Sequence, residues 1–304
     1  MRAKLLVAFL LLSAACTDAG PPAPDRTASP SPTEAAVQPP TPSPTFTGFS
    51  EDHEVLDVAI TEPFTLDPMR IRDPGSVLVV RQLFESLTAW DQASEQVVPA
   101  AAESWEVSRG GRRFTFRIRP GTTFHDGSPI TSQDFAYAFN RIASKQNAAE
   151  IAYTLERVEG FTAVNQTGSS DRLSGIKTPD ESTLVIDLSS PYYEFPAVLT
   201  HPGLVPLQRK HVEDEETFLT MPIGNGPFQM ATPWSPGGEI VMQRFPGFVR
   251  TPPLDGIVFH PFPDAAAAYL GFVDEEFDVA EVPVGQTETA AEVYGDRGYV
   301  PFLA

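Results

Sequence analysis

The chain has 304 residues, of which 41% are hydrophobic, and this is enough to bury a sizeable core and to exclude disorder throughout. It carries 40 Asp and Glu against 21 Lys and Arg, which gives a formal net charge of −19 at pH 7. Nucleic-acid binding draws its affinity from Lys and Arg that neutralise phosphates. The charge therefore argues against nucleic acid as a partner.

The beginning of the chain has the layout of a secretory signal peptide. Arg2 and Lys4 precede the apolar run Leu5–Leu12, which is too short to span a bilayer because spanning needs about 20 residues. Cys16 follows small residues and resembles the acceptor of a bacterial lipoprotein signal, although Ser13 stands where that pattern usually has leucine. We therefore predict lipidation of Cys16, with a simple secretory signal as the alternative. The sequence has no second cysteine, so no disulfide is expected.

A segment rich in Pro, Thr, Ser and Ala follows over residues 17–52. It has hardly any large apolar residue, so it cannot form a core. Frequent proline favours an extended chain of about 3.1 Å per residue, which would reach on the order of 100 Å. We interpret the segment as a disordered tether, and a proline-rich recognition motif is the alternative.

The sequence beyond His53 mixes strand-like and helix-like segments. First, "EVLDVAI" alternates and predicts a strand, whereas "VLVVRQLFESL" has apolar residues at helical spacing. Next, "RRFTFRIR" predicts a strand with Phe114, Phe116 and Ile118 on one face, and "TSQDFAYAFNRIA" predicts a helix. The later predicted elements are the strands "TLVIDL", "EIVMQRF" and "FDVAEVP" and the helix "AAAAYLGFV". This mixture predicts an α/β or α+β fold.

His125 and Asp126 lie side by side at a glycine turn before the predicted helix. The turn favours Asp-Gly because glycine accepts a positive φ and the aspartate accepts hydrogen bonds from nearby backbone amides. Thr131 or Ser132 is the expected N-cap, and Asp134 lies near the positive end of the helix. We interpret the pair as structural, because a catalytic dyad needs a nucleophile or substrate position that the sequence does not reveal.

No cofactor or metal is predicted. The five histidines are scattered, without the spacing of a local metal site, although a site assembled by the fold remains open. The sequence lacks the nucleophile elbow, the phosphate loop and the dinucleotide fingerprint. "GNGPF", residues 224–228, predicts a tight backbone passage, and "DEEFD", residues 274–278, predicts a solvated turn instead of a calcium loop.

Several blocks, in this order, resemble the bacterial extracellular solute-binding proteins of family 5, the oligopeptide, dipeptide and nickel type of ABC importers. They are "TLDP", "LFESL", "VVPAAAESWEVSRGGRRFTFRIRPGTTFHDGSPITSQDFAYAFNRI", "GNGPF" and "GFVDEEFDVAEVP". The long central block is the most specific of them. The resemblance covers the chain from about Val55 to Ala304.

The resemblance implies a periplasmic-binding-protein-like α/β clamshell of two lobes that captures a small solute without chemistry. The expected solute is an oligopeptide or dipeptide, the expected partners are ABC permease subunits, and the protein is expected to be a monomer. Expected locations are the outer face of the cytoplasmic membrane, through the lipid anchor, or the periplasm. The alternatives are a surface or signalling lipoprotein on the same scaffold and a secreted hydrolase that uses His125 and Asp126.

The resemblance also divides the chain. After the signal peptide (1–16) and the tether (17–52), a discontinuous first lobe is expected at 53–74 and 191–304, with an inserted subdomain at 75–190. The last residues, "RGYVPFLA", resemble the start of the first crossover strand, so the second lobe is expected to be missing. We therefore predict either a truncated gene product or a chain that requires another one.

The resemblance places the loop "TEPFTLDP" in the ligand cleft. There Glu62 is expected to pair with a cationic group such as a peptide amino terminus, and Phe64 to pack on a ligand side chain. Thr65 is expected to offer a hydroxyl or backbone contact. The alternative is that Leu66, Asp67 and Pro68 form a turn above which Glu62 is merely solvated.

Overall fold

The computed structural model describes residues 48–50 and 52–295. Its strands are β1 (Val55–Thr61), β2 (Thr88–Asp91), β3 (Gln96–Pro99), β4 (Ala102–Ser108), β5 (Arg113–Ile118), β6 (Ile176–Asp180), β7 (Thr183–Asp187), β8 (Phe228–Met230), β9 (Ile240–Arg244), β10 (Gly256–Phe262) and β11 (Val279–Ala280). Its α-helices are α1 (Pro74–Leu83), α2 (Ser132–Ala143), α3 (Phe195–Val198), α4 (Arg209–Glu213), α5 (Glu215–Thr220), α6 (Ala265–Val273) and α7 (Thr287–Tyr294). Two 3-10 helices (Pro68–Arg70 and Glu150–Leu155) and one π-helix (Thr162–Thr167) complete the described elements.

The largest sheet has the strand order β11-β1-β10-β9-β8. β1 runs parallel to β10 and β11, whereas β9 is antiparallel to both β10 and β8. One face packs into the core because alternate residues of β1 and β10, such as Val58, Ile60 and Phe259, are apolar and buried. The strands predicted from "EVLDVAI" and "EIVMQRF" are confirmed, and "FDVAEVP" contains a strand of only two residues.

A second, antiparallel sheet has the order β4-β5-β7-β6, and β2 and β3 form a separate hairpin. Phe114, Phe116 and Ile118 all lie buried on one face of β5, as predicted. On the opposite face Arg113 donates to Asp187 of β7, its partner across the ladder, with two bonds of 2.6 Å. This ion pair, together with Lys177, holds the pKa of Asp187 down at about 2.

Helix α2 begins as its sequence predicts. Thr131 is the N-cap, and Asp134 accepts hydrogen bonds from the backbone N–H and the hydroxyl of Thr131, at 2.8 and 2.7 Å. The predicted apolar stripe is buried, and its members are Phe135, Ala138, Phe139 and Ile142. The helix therefore packs with the face that its spacing predicts.

Helix α1 is shorter than predicted, because it ends at Leu83 instead of continuing through "FESL". The physical reason is a competing set of backbone partners: the Leu83 carbonyl accepts from Gly226 N (2.8 Å), and Glu85 N donates to Asn225 Oδ1 (2.9 Å). A remote loop thus replaces the next helical turn.

The sheets divide along the sequence. Every strand of the five-stranded sheet lies within residues 55–61 or 228–280, and the other two sheets lie within 88–187. One continuous apolar core contains residues of both the five-stranded and the four-stranded sheet. The assignment of 53–74 and 191–304 to a first lobe and of 75–190 to an insert stays a prediction.

The predictions for Cys16, for the tether up to residue 47 and for "RGYVPFLA" fall outside the described residues. Across 48–50 and 52–295, no helix combines the length and apolar character that crossing a bilayer requires.

Candidate ligand-binding site

The candidate site lies at the carboxyl edge of the five-stranded sheet, where the parallel strands β1 and β10 end together. In open α/β sheets ligands bind in crevices outside this edge. Glu62 N donates to Phe262 O (2.8 Å) and extends the ladder by one residue beyond β1. Gly237 N, in the connection between β8 and β9, donates to Glu62 Oε1 (2.8 Å). Two loops therefore meet at this edge.

The base of the loop after β1 is fixed by a buried ion pair. Asp67 receives two hydrogen bonds of 2.7 Å from the guanidinium of Arg141 on α2, and its side chain is only 2% exposed. The same carboxylate accepts from Met69 N (3.0 Å) and caps the 3-10 helix that follows. Asp67 thus links the 3-10 helix Pro68–Arg70 to Arg141, which belongs to the central sequence block.

The three residues predicted to bind ligand occupy different environments. Phe64 is 57% exposed, and Glu62 is half-buried with its carboxylate at the surface loop of Gly237. Thr65 is buried: its N–H donates to Ser76 Oγ (3.2 Å), and its Oγ1 accepts from Asp67 N (3.0 Å). The side chain of Thr65 thus stabilises the loop itself, whereas those of Glu62 and Phe64 are accessible at its surface. The ligand-binding role of all three stays a prediction.

Arg72 belongs to the same surface, and sequence reasoning missed it. Its guanidinium carbon lies 3.7 Å from the centroid of the Phe64 ring, which is the geometry of a cation–π contact. The sequence contains no signal for this contact, because a bend through the 3-10 helix brings Arg72 back over Phe64.

His125 is buried at a joint between the turn before α2 and the "GNGPF" segment. Its Nδ1 accepts from Gly224 N (3.1 Å), and its Nε2 lies 3.2 Å from Gly226 O, to which it donates as the neutral ring. Burial is the main reason that the pKa of His125 is lowered to about 4. Both ring nitrogens are therefore occupied by backbone groups, an arrangement suited to holding two segments together.

Asp126 has different partners from its neighbour. Its Oδ1 accepts from Ser128 N (3.0 Å) and Ser128 Oγ (2.7 Å), and Gln208 Nε2 donates to both carboxylate oxygens. Gly127 has a φ of +82°, as its place in the turn requires. The turn chemistry predicted for this stretch is confirmed.

The "GNGPF" segment is a close backbone passage, as predicted. A Cβ added at Gly224 would lie 1.8 Å from Leu83 O, and one at Gly226 would lie 2.4 Å from Gln82 O. Asn225 completes the contact by pairing with both backbone groups of Glu85, at 2.9 and 3.0 Å. The blocks "LFESL", "FHDG" and "GNGPF" therefore meet in one joint, which we call the three-block joint.

The "DEEFD" segment forms an exposed turn after α6, where Glu275 adopts a φ of +64°. Its last residue, Asp278, accepts from Asp57 N (3.0 Å) and thereby fixes the turn to β1. Within the part of the chain that the structure describes, no group of three or more His, Cys, Asp or Glu is placed to hold a metal ion.

The described residues have a mixed α/β fold of the periplasmic-binding-protein type, consistent with a partial lobe. The profile described as "Bacterial extracellular solute-binding proteins, family 5 Middle" matches residues 96–299. The chain belongs to the bacterial extracellular solute-binding proteins of family 5.

Curated relatives agree with this assignment. The chain is 30% identical to the oligopeptide-binding protein OppA of Bacillus subtilis over 251 residues, which are 79% of this chain and 45% of the relative. It is 29% identical to the dipeptide-binding protein DppE of the same organism over 228 residues, which are 73% of this chain and 41% of the relative. The chain thus spans about half the length of the curated relatives it matches.

Solved structures share the fold. The unliganded open form of the periplasmic murein tripeptide-binding protein MppA superposes with a TM-score of 0.73 at 23% identity, over 79% of this chain and 48% of that one. OppA of Burkholderia pseudomallei superposes with a TM-score of 0.72 at 24% identity, over 81% and 50%.

Proposed function

We propose that this chain is part of a substrate-binding protein of an ABC importer that captures peptides and delivers them to a membrane permease. The observation that carries the proposal is the loop after β1, which is locked at its base by Asp67 and Arg141 but presents Glu62 and Phe64 at the carboxyl edge. The names of relatives as oligopeptide- and dipeptide-binding proteins support peptides as the ligand class.

The exposed groups at the edge suit capture without chemistry. A carboxylate such as that of Glu62 forms charge-assisted hydrogen bonds with a peptide ammonium group, and an exposed ring such as Phe64 covers an apolar side chain. Small-molecule sites bury most of their ligand, so this edge supplies one wall of the site and an opposing surface supplies the other. In the proposal, the discontinuous lobe at 53–74 and 191–304 carries the wall, and the insert at 75–190 supports it.

The proposal places the protein outside the cytoplasm, tethered by a lipid on Cys16 and acting as a monomer beside its permease. Several acyl chains, at roughly 0.8 kcal/mol for each buried methylene, hold a protein stably on a membrane. A Cys16→Ala variant is therefore expected to appear in the medium of cells that export it, whereas the unaltered chain remains with the membrane fraction. Retention of the variant on the membrane would contradict the anchor.

The direct test of capture is affinity selection. The purified chain is incubated with a pool of random short peptides, separated from unbound peptides by rapid gel filtration, and its bound fraction is identified by mass spectrometry. The proposal expects peptides to be retained, and expects a Glu62→Gln/Phe64→Ala variant of equal thermal stability to retain fewer. Equal retention by this variant would refute the proposed use of the edge, and retention of no peptide would refute capture by this chain.

A further inference from the structure

The stack of Arg72 on Phe64 presents a fixed cation at the edge of the candidate site. The guanidinium lies 3.7 Å from the ring centroid, while the Arg72 side chain is still 49% exposed. Stacking on an aromatic ring fixes the plane of a guanidinium, so less side-chain entropy is lost when its N–H groups bind an anion. Arg72 is therefore oriented before any ligand arrives.

The backbone around this stack is held by the beginning of α1. Phe64 N donates to Asp73 Oδ2 (3.3 Å), and the other oxygen of Asp73 accepts from Ser76 N (2.8 Å) as the helix N-cap. Arg72 directly precedes this cap in the sequence. The ring and the guanidinium are thus supported by the same short stretch, which limits their relative movement.

Within the described residues, Arg72 forms only one ion pair, and that pair is weak. Its Nη1 lies 3.6 Å from Glu150 Oε1, and the Glu150 side chain is 69% exposed. Ion pairs at this exposure contribute little to stability. A ligand carboxylate that accepts two N–H groups of the guanidinium fork forms a stronger contact and can displace Glu150.

We infer that Arg72, positioned by Phe64, is a subsite for a carboxylate of the bound peptide. The inference rests on the proposed function and deepens it, because it predicts which peptides the site prefers. Glu62 offers a negative group on the same loop, so the edge is complementary to a ligand that carries both an ammonium and a carboxylate group. The carboxylate comes from either an acidic side chain or the carboxyl terminus.

The test compares the peptides retained from the random pool by the unaltered chain, by Arg72→Gln and by Glu150→Gln. One abundant retained peptide is then synthesised in three forms: unaltered, with its acidic residues replaced by their amides, and with an amidated carboxyl terminus. Calorimetry gives the affinity of each form for each variant. Arg72→Lys serves as the matched control, since it keeps the charge but not the planar fork.

We expect one of the two carboxylate replacements to weaken binding to the unaltered chain about five- to tenfold, as the loss of an exposed charge-assisted contact does. This penalty should disappear in Arg72→Gln, be intermediate in Arg72→Lys and persist or grow in Glu150→Gln, where the competing carboxylate is gone. The form that shows the penalty identifies the source of the carboxylate.

Two results would overturn the inference while leaving peptide capture intact. One is the same carboxylate penalty in Arg72→Gln and the unaltered chain. The other is an equal loss of affinity for all three peptide forms in Arg72→Gln, which is the signature of a merely structural role. Retention of no peptide by the unaltered chain would instead refute the proposed function and the inference with it.

Discussion

Acidification should destabilise the three-block joint through His125. Its pKa lies at about 4 instead of the ordinary 6.5 because burial of the ring outweighs the hydrogen bond to Gly226 O and the charge of Asp126, which both raise the pKa. Between these two values the unfolded chain binds a proton that the folded chain does not, so the free energy of unfolding falls as the pH falls. At about 1.4 kcal/mol for each pH unit between 6.5 and about 4, the full loss is roughly 3 kcal/mol.

The assay is urea unfolding followed by tryptophan fluorescence, at pH 7 and at pH values down to about 4.5, where most of this loss has occurred. Burial also lowers the pKa of His201 and His211, so the unaltered chain contains similar contributions from other sites. The comparison is therefore with His125→Gln, whose amide cannot titrate. We expect this variant to lose about 2–3 kcal/mol less than the unaltered chain over the same interval. An identical pH dependence in the two proteins would refute the reasoning.

Three further variants test the fixed parts of the structure. Gly224→Ala should lower the free energy of unfolding in urea by at least about 2 kcal/mol, because the new Cβ would lie 1.8 Å from a backbone oxygen. The control Gly121→Ala, which has open space around the new Cβ but a positive φ, should lower it by only about 1 kcal/mol. Equal losses in the two variants would contradict the close backbone passage at Gly224. Arg141→Ala should cost about 3 kcal/mol, because the buried carboxylate of Asp67 would keep only Met69 N and the more distant Arg70, 3.8 Å away, as partners. Arg141→Ala with Asp67→Ala should recover part of that loss, and no recovery would argue against the pair. Phe64→Ala should change the unfolding free energy by less than about 0.5 kcal/mol while it weakens peptide retention, and a large loss of stability would show that the ring has a structural role.

Local patterns predicted the elements well where burial follows sequence spacing. The alternation in β5 and the helical stripe of α2 both match the buried faces, because period-two and near-four spacing place apolar side chains on one side. The end of α1 was predicted wrongly because the groups that stop it come from far away in sequence. Asn225 lies 140 residues from Glu85, and no local propensity reports such a contact.

The candidate site was only partly accessible to sequence reasoning. Glu62 and Phe64 were predicted because the family resemblance places the loop after the first strand in the ligand cleft, and their role in ligand binding stays a prediction. The burial of Thr65 could not be predicted from the sequence, because its hydrogen bonds depend on the bend of the loop toward Ser76. Arg72 was missed for a related reason, since its contact with Phe64 depends on the 3-10 helix between them.

Mapping the position of a bound peptide tests most directly whether peptides bind at the carboxyl edge of the five-stranded sheet. A retained peptide that carries a photoreactive group is irradiated on the chain, and the labelled residues are identified by mass spectrometry after digestion. The account predicts labels in the loop Glu62–Asp67, at Arg72 and in the connection around Gly237, because these meet at the carboxyl edge of the sheet. Labels that concentrate instead at the turn of His125 and Asp126 would contradict it.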